Sequence, residues 1–130
     1  MDYEKETQRL LRELGVNSSY TGFRYTSHAV ALTLSRPELI TYISKGLYTE
    51  IAIQFHTTAG CVERDIRTVV NTIWLRGDRE LLNHIFGTEL QKKPRNTSFI
   101  DALSQYVLNF RLSREQQRLA WQHEKSRLPY

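Results

Sequence analysis

Apolar positions along the 130-residue chain recur with the 3.6-residue period of an α-helix in segment after segment. Residues 3–14 place Tyr3, Thr7, Leu10, Leu11 and Leu14 on one side and stop at Gly15. Residues 17–24 are rich in Asn, Ser and Gly and predict a turn. The run HAVALTL at 28–34 is apolar nearly all round. It predicts a buried helix capped by Ser27, with a strand as the open alternative. Ser35-Arg36-Pro37-Glu38 has the form of a capping box with proline in the first turn. It predicts a helix to Lys45, ended by Gly46, with Leu39, Ile40, Tyr42 and Ile43 inward. A short helix comes next at 48–55, then a turn at His56-Thr57-Thr58, with Thr58 as N-cap of a long helix to Arg76. Gly77 and Asp78 separate that helix from one containing Leu81, Leu82, Ile85 and Phe86. Residues 88–96 read as a surface loop, and Asn96 or Thr97 opens a helix through Phe99, Ile100, Leu103, Tyr106, Val107 and Phe110. A second capping box, Ser113-x-x-Gln116, predicts a separate polar helical segment over about 113–128 that carries Leu119, Trp121 and Leu128. The expected fold is a single all-α domain over residues 1–130, a compact bundle of six or seven helices.

The stretch 47–76, LYTEIAIQFHTTAGCVERDIRTVVNTIWLR, is the most informative. Val62, Ile66, Val69, Val70, Ile73 and Trp74 form one apolar stripe, enough to anchor a helix on a core. The remaining face carries Gly60, Arg64, Arg67, Thr68 and Asn71, flanked by Cys61 and Glu63. Small residues, two arginines and hydrogen-bonding side chains suit a helix lying in a DNA major groove, the second helix of a helix-turn-helix. An amphipathic helix with an ordinary charged outer face gives the same pattern. Glu63 and Arg67, at i and i+4, equally form a surface ion pair.

Charge changes this picture only by where it sits. The formal net charge is +4, which permits nucleic-acid binding without requiring it. Lys92, Lys93 and Arg95 cluster around Pro94 in the loop, and further arginines lie beyond residue 110. Such a cluster can touch a phosphate backbone beside the reading helix. Cys61 is the one cysteine, which excludes an internal disulfide and suits a reducing compartment; near a helix N-terminus it favours the thiolate. His28, His56, His84 and His123 have no metal-ligand spacing among themselves or with Cys61. Phosphate-binding glycine loops and nucleophile-elbow motifs are absent, so neither a metal, a cofactor nor an enzyme is expected. An acidic N-terminus and the lack of a long apolar run predict a cytoplasmic protein without a membrane span.

An ordered series of segments then carries a resemblance: ELGV at 13–16, SKGLYTEIA at 44–52, TTAGCVERDIR at 57–67, WLRGD at 74–78, LLNHIFG at 81–87 and KPRNTSFI at 93–100. Over about residues 10–110 the chain resembles the C-terminal DNA-binding effector domain of the bacterial sporulation response regulator family, stage zero sporulation protein A. The resemblance implies an all-helical domain whose residues 58–76 read the major groove, supported by residues 48–55. It implies a sporulation-related transcription regulator that binds double-stranded DNA, with a second copy on DNA and RNA polymerase as candidate partners and no small-molecule substrate. The family's contact segment resembles S-R-V-E-R-x-x-R. Glu63, Arg64 and Arg67 retain it, whereas Gly60 stands at the serine and Cys61 at a base-reading arginine. DNA binding is therefore expected with altered target specificity. A protein-interaction module that pairs with a full-length regulator is the alternative. Family members also carry a phosphoreceiver domain to which nothing in this chain corresponds. That leaves a cut-out effector domain or a stand-alone paralogue, with the segment from about residue 118 favouring the latter.

Overall fold

The computed structural model describes residues 2–42 and 46–126, and every regular element among them is helical: α1 (Tyr3–Leu14), α2 (Thr21–Ser35), a 3₁₀ turn (Pro37–Tyr42), α3 (Leu47–Gln54), α4 (Ala59–Arg76), α5 (Arg79–Phe86) and α6 (Asn96–Ser126). The all-α expectation holds. Three helix starts are fixed by short acceptor side chains: Asp2 accepts from the Lys5 amide, Thr58 from Cys61 and Asp78 from Leu81. Gly15 and Gly87 close α1 and α5 with φ of 114° and 72°, a backbone region that costs glycine nothing.

Three expectations are corrected. α2 begins at Thr21, so Ser27 lies inside the helix instead of capping it, and its hydroxyl donates to the Arg24 carbonyl. Thr26 donates to the Gly22 carbonyl in the same way, which lets hydroxyl-bearing residues be buried here. The turn is confined to residues 15–20, where the Asn17 side chain accepts from Ser19. Ser35 ends α2, and its hydroxyl donates to the Ala31 carbonyl within that helix. A residue before proline avoids the α region, and Arg36 sits at φ −138°, ψ 76°. From Pro37 the chain forms a 3₁₀ turn that buries Leu39. The part of the expected helix at 43–45 lies outside the described residues. Finally, the Ser113 box opens no new helix: α6 runs unbroken from Asn96 to Ser126, roughly 46 Å. Its sequence has no glycine or proline to stop it. Leu119 is exposed on it, while the Trp121 side chain and Leu128 lie outside the described residues.

α4 holds the domain together because its stripe serves two apolar clusters. Val62 and Ile66 pack with Tyr25, Ala29, Leu47, Ile51 and Ile100. Val69, Val70 and Ile73 pack with Leu11, Leu14, Phe23, Leu82, Phe99 and Leu103. Trp74, expected in the core, is only half-buried at its edge, with the Arg79 guanidinium 3.3 Å from its ring centre. α2 crosses α4 at Gly22, where an added methyl group would overlap the Asp65 carbonyl and the Val69 side chain. Among the described residues no helix is long and apolar enough to cross a membrane.

Candidate nucleic-acid interface

α3, a turn and α4 form the helix-turn-helix. Leu47, Tyr48, Ile51 and Ala52 bury α3 against the core. At its end the Thr57 amide donates to the Ala52 carbonyl (2.9 Å) and the His56 amide to the Ile53 carbonyl (3.4 Å). That closure requires a left-handed residue between them, and His56 supplies it at φ 56°. The chain is thereby redirected into α4, with Thr58 accepting from Cys61 at 3.1 Å.

With its apolar stripe buried, α4 turns the predicted face outward. Thr58, Gly60, Arg64, Arg67 and Thr68 are exposed, and Cys61, Glu63 and Asn71 are half-buried at the margins. The Arg67 guanidinium lies 3.2 Å from Glu63 and that of Arg64 3.4 Å from Asp65. Both arginines are more than half exposed, so these pairs are worth a few tenths of a kcal/mol and yield readily to a phosphate or a guanine edge. Thr68 donates its hydroxyl to the Arg64 carbonyl (3.1 Å), which leaves it an acceptor for an incoming donor. Hydrogen bonding from the Thr58 hydroxyl, reinforced by Thr57, holds the Cys61 thiol below its ordinary pKa.

The basic loop stands beside this face. Lys93 donates to the Asn71 side chain at 2.5 Å. Lys92 and Arg95 are exposed, and a groove of about 410 Å³ runs between Tyr48, Glu63, Arg67 and residues 93–97. α6 starts at the groove, and its rise carries the helix backbone at residue 111 roughly 22 Å along the axis from Asn96; the side chains of the arginines beyond residue 110 lie outside the described residues.

Two residues of this interface are not evident in the sequence. The Asn96 amide donates to both the Tyr48 hydroxyl and the Glu63 backbone carbonyl, each at 3.0 Å. Burial raises the Tyr48 phenol above its ordinary pKa, an effect that the Asn96 hydrogen bond partly offsets. It therefore stays protonated and neutral at physiological pH. These contacts join positions 48 and 33 residues apart, so no local pattern announces them. Asn96 is recognisable in the sequence only as a helix opener.

Among the described residues no group of three or more His, Cys, Asp or Glu side chains is placed to hold a metal ion. The fold and the family that the chain matches define a helix-turn-helix DNA-binding effector domain. Over residues 7–107 the chain matches the family described as sporulation initiation factor Spo0A, C terminal, and it belongs to that family. Its members are sporulation-related regulatory domains that bind double-stranded DNA, not a family of enzymes.

Proposed function

We propose that this chain recognises duplex DNA through the outer face of α4, with Arg64 and Arg67 as the principal contacts and Lys92, Lys93 and Arg95 on the flanking phosphates. The observation that carries this reading is the one-sidedness of α4. Val62, Ile66, Val69, Val70 and Ile73 are buried in the core, so Gly60, Arg64, Arg67 and Thr68 face outward, with Asn71 at the margin where the basic loop docks through Lys93. Thr58 and Gly60 bring the start of α4 close to a phosphate, and Glu63 either accepts from a cytosine amino group or orients Arg67 across their 3.2 Å pair. Target specificity departs from the family's at Cys61, where a thiol replaces the bidentate donor that an arginine would offer to guanine. The test is Arg64→Ala and Arg67→Ala, singly and together, in titrations against duplexes selected from a random pool. Each change should weaken specific binding by about 1–3 kcal/mol while leaving thermal stability within about 0.5 kcal/mol, since neither side chain packs in the core. Unchanged binding by the double variant would sink the assignment of α4 as the reading helix, and no enriched duplex at all would favour an interaction module over a DNA reader.

A further inference from the structure

We infer that Asn96 is a positioning residue for DNA binding: it sets the register of the basic loop against the reading helix and so determines whether phosphate contacts and base contacts are made together. The inference rests on the proposed role of α4 and adds a residue that touches neither base nor phosphate.

The loop at 88–95 contains no regular structure, and most of its side chains are exposed. Besides the Thr88 amide's bond to the Asn83 carbonyl and the packing of Leu90 on the core, side-chain hydrogen bonds tie it down at three points. Near its start the Leu90 amide donates to the Asn83 side chain at 3.0 Å. In its middle Lys93 reaches Asn71. At its end Asn96 makes its two bonds. These ties are unequal. The first holds the loop to α5, away from the reading helix. The second depends on an exposed lysine with a flexible four-carbon stem, which is a weak positional restraint. It also engages a group that phosphate would compete for.

Asn96 differs on each count. It is half-buried, has only two side-chain torsions and uses both amide hydrogens. One acceptor is the hydroxyl of Tyr48, a residue only 4% exposed on α3. The other is the carbonyl of Glu63 on α4, whose side chain lies 3.2 Å from the Arg67 guanidinium. A single amide thus fastens the end of the loop to both helices of the helix-turn-helix, on the helical turn that carries Arg67. Arg95 is the adjacent residue, so its placement is set directly. The Phe99 amide closes the first turn of α6 on the Arg95 carbonyl, which carries the same restraint into α6.

Because Asn96 is uncharged, its removal leaves every basic side chain in place, and this gives a signature that loss of folding stability does not produce. The salt dependence of affinity counts phosphates neutralised, at roughly 0.9 in the log–log slope for each contact. Asn96→Ala should flatten that slope by roughly 0.9 or more and weaken binding to every duplex by about tenfold at moderate salt. The order of preference among sequences should be retained, since Arg64 and Arg67 are untouched. Replacing Lys92, Lys93 and Arg95 together by alanine should flatten the slope at least as far. Adding Asn96→Ala to that triple variant should then change it no further. Tyr48→Phe removes one of the two bonds while keeping the ring in the core, so it should shift the slope in the same direction by less; it is also the variant to use if Asn96→Ala does not fold.

An Asn96→Ala slope equal to that of wild type, or a Tyr48→Phe slope equal to wild type where only that variant folds, overturns the inference even if the melting temperature falls. Additive effects of Asn96→Ala and the triple variant overturn it as well. A wild-type protein that binds no duplex overturns both this inference and the proposed function. Sensitivity to Arg64→Ala and Arg67→Ala with an unmoved Asn96→Ala slope overturns this inference alone.

Discussion

On one flank of α4 the backbone of α2 comes so close at Gly22 that no side chain fits between the helices. On the other flank α4 meets the basic loop through the Asn96 amide on the Glu63 carbonyl and through Lys93 on the Asn71 side chain. The first contact is made of shape and is continuous with both apolar clusters, which α4 joins. The second is made of directional bonds between half-buried and exposed groups. Close packing has no graded response to a small displacement, whereas hydrogen bonds can be exchanged for others. The α2 flank therefore fixes how α4 is presented, and on the proposed reading the loop flank is the one able to adjust to phosphates.

The largest effect expected is on the packed flank. Gly22→Ala would force the α2 and α4 backbones apart, and overpacking of this kind costs about 3 kcal/mol, a fall in melting temperature of roughly 10 °C for a domain of this size. Lys93→Ala, by contrast, should change stability by less than about 0.5 kcal/mol. Thermal unfolding of the two variants checks the comparison directly. A Gly22→Ala protein as stable as wild type would mean that the helix crossing is loose and that the loop carries more of the positioning.

The same contrast explains which features are legible in the chain. The stripe of α4 and the caps at Thr58 and Asp78 can be read because each is written in residues three or four positions apart. The outward face of α4 is then obtained by subtraction. The start of α2 is not legible, since Gly22 looks like a turn residue and Ser27 like a cap until the Thr26 and Ser27 hydroxyls are seen bonded to carbonyls of the preceding turn. Gly22 itself reads as a breaker, although it is the closest approach of two helices. The unbroken course of α6 is obscured for the opposite reason: a capping motif at Ser113 draws more weight than the absence of any residue able to end the helix. Of the candidate interface, the residues proposed to face DNA are evident in the sequence, and the long-range bonds of Asn96 to Tyr48 and Glu63 are not.

A smaller effect is expected at Cys61, on the face between the two flanks. If α2 presents α4 in the pose of the family's reading helix, an arginine at this position would reach the guanine that the resemblance implies. Cys61→Arg should then add about 1–3 kcal/mol of preference for a duplex carrying that guanine over one altered there. Competition titrations of wild type and variant measure the gain. Equal preference in the two proteins would place the reading of that guanine on another residue and show that α4 is presented differently.

The smallest effect is expected in the turn. His56 occupies the left-handed region at φ 56° with its side chain exposed, a conformation that costs a residue with a Cβ roughly 1–2 kcal/mol. Glycine removes that cost but loses more entropy on folding, by roughly 0.5–1 kcal/mol. His56→Gly should therefore stabilise the fold by at most about 1.5 kcal/mol, a rise of a few degrees in melting temperature. Its effect on DNA binding is the more discriminating measurement. Were the turn the element that orients α4, loosening it would weaken binding and blur sequence preference. With α4 fixed by the Gly22 contact and its two apolar clusters, the turn only has to close the distance between helices already placed. Binding and preference should then match wild type while stability rises. A variant that is more stable yet binds less selectively would assign the orientation of α4 to the turn, and the packed flank would lose the role given to it.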